Sequence, residues 1–142
     1  MATVRTAKTH WEGSLIEGAG QVALESSGVG TFDVSWASRA NDANGKTSPE
    51  ELIAAAHSAC FSMALSHALT EGGNAPEALD TKADVTFQPG EGITGIVLSV
   101  NGKVPGLTAD EFAEFAQGAK ENCPVSKALA GTTITLDVTF TA

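Results

Sequence analysis

The sequence predicts an α+β fold in which antiparallel strands surround one long, buried central helix. Short segments that alternate apolar and polar residues fill roughly the first forty positions, and a long apolar segment with helix start and stop signals follows over 48–73. Further strand-like segments come after that helix. Because strands and helices are grouped instead of alternating one by one, this order favours α+β over a parallel sheet built of βαβ units.

The N-terminal strands are predicted by period-two alternation between glycine-rich turns. Val22 and Leu24 alternate with polar neighbours in "GQVALES", as do Phe32, Val34 and Trp36 in "TFDVSW". Alternation of this kind places every second side chain on one face of a sheet. We expect two or three antiparallel strands here, followed by a polar loop over "ASRANDANGKT".

The central helix has clear signals at both ends. Ser48 is placed to cap it, Pro49 suits its first position and Glu51 completes a capping box. The pattern continues to about Glu71, and the glycine pair that follows can adopt the left-handed conformation of a helix end. Apolar residues occur on nearly every side, so we expect this helix to be buried on most faces.

The remaining elements follow in the order strands, helices, strand. "KADVTF" and "GIVLSVNGKVP" predict two strands, and Thr108 with Glu111 forms a capping box that starts a second helix over "ADEFAEFAQGAKEN". Pro124 ends that helix, and "PVSKALA" is typical of a short new helix that Gly131 would cap. "TTITLDVTF" predicts a closing strand.

Length and charge limit the classes of function. A chain of 142 residues fits one domain over residues 1–142. Eight basic against seventeen acidic residues give a formal charge of -9 with no basic cluster, which argues against nucleic acid and anionic membranes as partners. The N-terminus lacks the apolar region of a signal peptide, and polar residues interrupt the most apolar segment, so we expect a cytoplasmic protein.

The chain has two cysteines, Cys60 in the long helix and Cys123 directly before Pro124. In a reducing compartment such a pair is more often catalytic, redox-sensing or metal-binding than structural. Cys123 stands at the start of the short helix, where free N–H groups lower a thiol pKa. Cys60, inside an apolar helix, should have a raised pKa unless a positive charge lies near it. Ordinary packing cysteines remain the alternative.

Arg39 is the candidate source of that charge, because the only other arginine, Arg5, lies near the chain terminus. A guanidinium can donate to a thiolate while a carboxylate holds it bidentately. Glu50 and Glu51 are both explained by helix capping and the helix dipole, so the residues alone do not separate their roles. A solvated loop charge is the alternative for Arg39.

Two other kinds of site stay open on the residues alone. His57 and Cys60 share a helix face, and with Cys123 they offer three zinc ligands, although no CxxC or HExxH motif is present. The apolar helix could instead line a cavity for a lipid or another small ligand, with both cysteines incidental.

Three segments together resemble a known family. "TSPEELIAAAHSACFSMALS", "NCPVSKALAG" and "ITLDVTF" are similar to the OsmC/Ohr family of bacterial thiol-dependent hydroperoxide reductases, and the likeness extends from "HWEG" to the last strand. His57 stands where the Ohr branch tends to have an aromatic residue, so the chain resembles the OsmC branch. The resemblance implies an intertwined homodimer of α+β subunits that works without a cofactor or a metal.

The resemblance also implies the chemistry and its residues. Cys60 becomes the peroxidatic thiolate and Cys123 the resolving thiol, while Glu50 orients the guanidinium of Arg39 beside the reacting sulfur. The implied activity is reduction of organic hydroperoxides, and less well of hydrogen peroxide, through a sulfenate/disulfide cycle in oxidative or osmotic stress. An external dithiol of lipoyl or thioredoxin type would reset the enzyme.

Helix geometry leads to an expectation about the dimer. Ten residues separate Glu50 from Cys60 on one helix, which is about 15 Å along its axis, with the two side chains about 80° apart. They cannot share a compact site directly. We therefore expect Glu50 to serve Cys60 of the partner subunit across a two-fold axis.

Overall fold

The computed structural model describes all 142 residues. The chain packs as two compact units, Met1–Leu52 and Ile53–Ala142, and the division falls within the first turn of the long helix. One domain over residues 1–142 stays a prediction.

The first unit contains a three-stranded antiparallel sheet in the order β1-β2-β3. Its strands are β1 (Lys8–Glu12), β2 (Ala19–Ala23) and β3 (Thr31–Val34). Both strand pairs are antiparallel and in continuous register. The expectation of two or three antiparallel strands before the long helix is therefore confirmed.

A short helix, α1 (Trp36–Ala40), follows this sheet. The prediction of a loop over "ASRANDANGKT" is wrong at its first residues. Ser35 Oγ accepts from Ser38 N at 3.1 Å, and Ser38 Oγ accepts from Ser35 N at 3.0 Å, so two serines form a capping box. The usual signature has Glu or Gln at the second position, which is why this start was missed. Arg39 consequently lies in the last turn of a helix.

The long helix α2 (Pro49–Glu71) begins and ends where the sequence predicts. Ser48 Oγ accepts from Glu51 N at 3.2 Å, which satisfies one of the free N–H groups of the first turn. The Glu51 carboxylate does not close the capping box but accepts from the Thr47 hydroxyl. Gly73, with φ 94°, supplies the left-handed residue after the helix.

Only one stripe of α2 is completely buried. Its members are four residues apart and lie on one face: His57, Phe61, Leu65 and Leu69. Other faces are exposed at Ala55, Ala56, Ala59 and Met63. The helix is long and apolar enough to cross a membrane by length and composition, a test that the core helix of a soluble protein also passes. The long central helix is confirmed, but its burial within the chain is partial.

The second unit contains a sheet in the order β4-β5-β6. Its strands are β4 (Ala78–Gln88), β5 (Gly92–Lys103) and β6 (Ile134–Thr141). β4 and β5 pair antiparallel as expected, but β5 and β6 pair parallel. The antiparallel prediction fails for this pair because the helical connection carries the chain back across the sheet before β6 begins. The α+β class is confirmed.

Two helices make that connection. α3 (Ala109–Asn122) begins at the predicted capping box: Thr108 Oγ1 accepts from Glu111 N at 3.2 Å, and the Glu111 carboxylate accepts from Thr108 N at 3.0 Å. α4 (Pro124–Ala128) begins at Pro124 as predicted. Its cap is Leu129 and not Gly131, so it is shorter than expected.

The core of the second unit fixes α2 against the sheet and α3. The buried stripe of α2 packs with residues of β5 and α3, among them Leu98, Val100, Phe112 and Ala116. The rings of Phe112 and Phe140 lie 5.1 Å apart between centroids. The Phe112 ring occupies the space that a side chain at Gly102 would need. This packing holds α3 against the sheet, and Cys123 is the residue that directly follows α3.

Candidate active site

The two thiols meet inside the second unit. Cys60 lies in the middle of α2, and Cys123 lies between α3 and α4. Both are free thiols, and their sulfurs are 2.7 Å apart although 63 residues separate them in sequence. The sequence alone could only require that "CPV" pack against the middle of the long helix. Here the sulfurs are near enough for a disulfide to form between them.

The thiols differ in exposure. Cys123 is completely buried, whereas Cys60 is only partly buried. A molecule that arrives from solvent therefore has access to the Cys60 sulfur before the Cys123 sulfur.

The break between α3 and α4 places N–H groups around Cys123. The residue is extended at φ -55°, ψ 126°, and Pro124 starts the next helix immediately. Burial acts to raise the pKa of Cys123, but hydrogen bonds with Cys60, with the N–H and hydroxyl of Ser126 and with the Val125 N–H outweigh it and lower that pKa. This is the effect predicted for a thiol at the start of a helix.

The environment of Cys60 raises its pKa instead of lowering it. Burial raises the pKa of Cys60, and its hydrogen bond with Cys123 raises it further, while the Val125 N–H acts in the other direction. None of these groups is positively charged. Since the sulfurs are in contact, the two thiols titrate as a pair and the first proton lost belongs to both.

Arg39 and Glu50 form a planar ion pair in the first unit. Arg39 Nε donates to Glu50 Oε1 and Oε2 at 3.1 and 3.2 Å, and Nη2 donates to Oε2 at 2.9 Å. The Glu50 residue is 6% exposed, so its carboxylate is held away from most solvent, whereas the Arg39 side chain is 33% exposed. Glu51 binds Thr47 instead. The structure thus separates two acids that the sequence left equivalent.

An apolar cavity of about 370 Å³ lies beside Arg39 in the first unit. Most of its lining is apolar, and the residues include Trp11, Leu15, Val22, Trp36, Leu52 and Arg39. The cavity therefore combines space for a hydrocarbon group with one guanidinium.

His57 and Ser126 make a buried contact that the sequence does not predict. The sequence offers His57 as a possible zinc ligand and marks no role for Ser126. His57 Nε2 lies 2.7 Å from Ser126 Oγ, and burial lowers the pKa of His57 so that the ring is neutral at pH 7. The available signal was a serine three residues after a cysteine at a helix start, where its hydroxyl can turn back toward the sulfur.

The zinc alternative gains no support. No group of three His, Cys, Asp or Glu side chains is arranged to hold a metal ion. His57 Nε2 is engaged with Ser126.

The class that this fold and site define is an α+β protein with two free thiols in contact. Residues 41–139 match the family model described as "OsmC-like protein", and the chain belongs to that family. It is 43% identical over 140 residues to Peroxiredoxin OsmC of Escherichia coli, covering 96% of each chain. It is 32% identical over 108 residues to the organic hydroperoxide resistance protein OhrB of Bacillus subtilis, covering 73% of this chain and 77% of that one.

A solved structure agrees with this placement. An organic hydroperoxide resistance protein from Elizabethkingia anophelis matches with a TM-score of 0.71 and 27% identity, covering 99% of this chain and 100% of that one. The resemblance identified from the cysteine segments is therefore confirmed, and the relatives indicate a cysteine-based peroxidase.

Proposed function

We propose that this protein is a thiol peroxidase that reduces organic hydroperoxides, and less well hydrogen peroxide, in defence against oxidative or osmotic stress. The observation that carries the proposal is the pair of free sulfurs 2.7 Å apart, one partly exposed and one buried. Peroxiredoxin and organic hydroperoxide resistance proteins among its relatives support the same class of reaction.

Cys60 is the peroxidatic residue in this proposal because it is the more exposed of the two cysteines. Its thiolate attacks the distal peroxide oxygen, the O–O bond breaks, and the alkoxide takes a proton to leave as alcohol. Cys60 is then a sulfenic acid. The Cys123 thiolate attacks that sulfur, an S–S bond forms, and the hydroxide that leaves takes a proton to become water.

A thiolate on Cys60 requires charge stabilisation that its own unit does not supply. The proposed source is the Arg39–Glu50 pair of a second subunit in a homodimer. In support, Glu50 and Cys60 are ten residues apart on the continuous helix α2, about 15 Å along its axis. A guanidinium held bidentately by a carboxylate has the geometry to donate to a thiolate and to polarise a bound peroxide.

The cavity beside Arg39 supports organic substrates over hydrogen peroxide. Its lining is apolar except for a few groups, and burial of a substrate's hydrocarbon part there contributes binding energy that hydrogen peroxide cannot gain. The cavity and the guanidinium together would place the peroxide end of such a substrate at Arg39.

The reductant and the location complete the proposal. An external dithiol, of lipoyl or thioredoxin type, reduces the Cys60–Cys123 disulfide by supplying two electrons and two protons. A cytoplasmic location fits this step because reducing compartments maintain such donors.

Stopped-flow oxidation of the reduced protein tests the proposed function. One equivalent of an alkyl hydroperoxide should consume both thiols and yield the disulfide faster than one equivalent of hydrogen peroxide. Survival of both thiols would contradict the peroxidase assignment, and the apolar cavity would then point to binding of a small apolar ligand.

A further inference from the structure

A buried chain of hydrogen bonds also reaches Cys123, and the proposed cycle makes no use of it. It joins His57 of α2 to Ser126 of α4 and continues to the Cys123 sulfur. The exposed fractions of the three residues are 0%, 5% and 0%. Burying polar groups this deeply costs free energy unless they are hydrogen-bonded. The hydrogen bonds that these three residues make therefore affect the stability of the fold.

The proton positions along this chain follow from the hydroxyl of Ser126, which has only one proton to donate. A hydrogen bond to an anionic sulfur is stronger than one to a neutral ring, so the proton faces the Cys123 thiolate. Ser126 Oγ must then accept from His57, which places the imidazole proton on Nε2. Nδ1 carries the lone pair and is the buried atom without a partner.

We propose that His57 is a positioning residue for Cys123: its Nε2–H holds the Ser126 hydroxyl so that the hydroxyl proton faces the sulfur. This inference rests on the proposed two-thiol cycle, in which Cys123 must be a thiolate to attack the Cys60 sulfenic acid. In that step the S–S bond forms, the S–O bond breaks and hydroxide leaves. A buried, polarised chain of hydrogen bonds strengthens each of its members.

The groups around Cys123 include no charged side chain that could lower its pKa in place of these hydrogen bonds. Its partner from α2 is Cys60, and its partners from α4 are Ser126 and the Val125 N–H. The charged neighbours in sequence, Glu121 and Lys127, are exposed. No carboxylate or ammonium is therefore among the groups that shift the pKa of Cys123.

Titration of Cys123 in a Cys60→Ser chain, where it is the only thiol, tests the inference. His57→Phe fills the same space without an N–H. The Ser126 hydroxyl then loses the donor that directs its proton toward the sulfur, and loss of that hydrogen bond to the thiolate should raise the Cys123 pKa by about one unit. His57→Gln keeps an N–H at the Nε2 position and should restore most of the difference. The readout is ultraviolet thiolate absorbance against pH.

A double variant shows whether His57 acts through Ser126. Ser126→Ala should also raise the Cys123 pKa, and His57→Phe combined with Ser126→Ala should raise it no further than Ser126→Ala alone. The matched control is Ser62→Ala, which removes a hydroxyl of α2 that is hydrogen-bonded to the Thr81 hydroxyl at 2.6 Å instead of to His57 or Cys123. We expect no shift from the control.

The resolving step provides a kinetic readout in the chain with both cysteines. In His57→Phe the pH profile of disulfide formation should move to higher pH, because less Cys123 is thiolate at any given pH. Well below both pKa values the rate should fall about threefold, since the greater nucleophilicity of a more basic thiolate offsets part of the tenfold loss of thiolate.

An unchanged Cys123 pKa in His57→Phe overturns the inference, as does a double variant that exceeds Ser126→Ala. If His57→Phe does not fold, the Ser126→Ala variant tests the inference instead. An unshifted Cys123 pKa in that variant would show that the Ser126 hydroxyl has no role and would overturn the inference. These titrations need no peroxide. Failure of the proposed function would appear separately, as survival of both thiols of the unsubstituted protein in alkyl hydroperoxide.

Discussion

At the two sulfurs, the local environment favours negative charge on the buried thiol. Hydrogen bonds lower the pKa of Cys123, while burial and Cys123 raise the pKa of Cys60. A peroxidatic role for Cys60 then requires its proton to pass to Cys123, which a separation of 2.7 Å permits. A cation near Cys60 would favour that transfer. Exposure and charge thus support the different roles proposed for the two residues.

Single cysteine variants test this division of roles. Cys60→Ser should abolish peroxide consumption, because the remaining thiol is completely buried. Cys123→Ser should still allow one oxidation that stops at sulfenic acid and, with excess peroxide, proceeds to sulfinic acid. Single-turnover kinetics with a sulfenic-acid trap distinguish the two. Equal single-turnover activity in both variants would refute the assignment.

The planar contact of Arg39 with Glu50 predicts that charge alone is insufficient at this position. Arg39→Lys should slow peroxide reduction nearly as much as Arg39→Ala, by about tenfold or more, because an ammonium cannot bridge a carboxylate and a thiolate with the same fork. Loss of one charge-assisted hydrogen bond costs roughly 1.5 kcal/mol, which is about a tenfold change in rate.

The matched control is Arg5→Lys, since Arg5 is exposed and its side chain donates to the neighbouring Val4 carbonyl. Its rate should equal that of the unsubstituted protein. Steady-state rates of Arg39→Lys within about twofold of the parent would remove Arg39 from the site, because that difference is well below the tenfold expected for one lost hydrogen bond.

At the scale of elements, the sequence predicts what local chemistry determines. The starts of α2 and α3 were predicted because Ser48, Thr108 and Glu111 cap helices through contacts three residues away. α1 was missed because its capping box uses serine at both positions. The parallel pairing of β5 with β6 depends on how the long connection between them packs. A local sequence pattern cannot predict that packing.

The site residues likewise fall into those that the sequence identifies and those that only the structure shows. The two cysteines and Arg39 could be selected from the sequence because their chemistry is rare in this chain. Glu50 could not be separated from Glu51 by the residues alone, since both suit the first turn of a helix. The contact between His57 and Ser126 spans 69 residues and depends on tertiary packing.

The close contact between β5 and α3 predicts a stability effect at Gly102. The Phe112 ring fills the position of a side chain there, so Gly102→Ala should lower the free energy of unfolding by about 1–3 kcal/mol through overpacking. Gly95→Ala on the same strand is the control, because its added methyl would make only an ordinary contact of 3.8 Å. Urea unfolding measures both. Equal stability of the two variants would contradict the packing described for Phe112.

At the scale of the whole molecule, the exposed face of α2 requires explanation. Ala55, Ala56, Ala59 and Met63 are exposed and fall within about 100° around the helix axis. Met63 is 72% exposed. A continuous apolar stripe of small residues on a well-ordered helix is typical of a surface that packs against another helix. A second copy of α2, related by a two-fold axis, would present the same stripe to it.

The last prediction is that activity returns when two inactive chains are mixed. If Glu50 serves the partner subunit's Cys60, a heterodimer of Glu50→Ala with Cys60→Ser holds one site with both lesions and one intact site. Equal mixing with free exchange should restore about a quarter of the sites of the unsubstituted dimer, since half of the dimers are mixed. The control pair is Cys60→Ser with Cys123→Ser. Its heterodimers should remain unable to turn over, because the sulfurs of Cys60 and Cys123 meet within one chain. Heterodimers of the first pair that form without recovery would place Glu50 and Cys60 in the same chain's site, and recovery in the control pair would contradict the resolving role of Cys123 within its own chain.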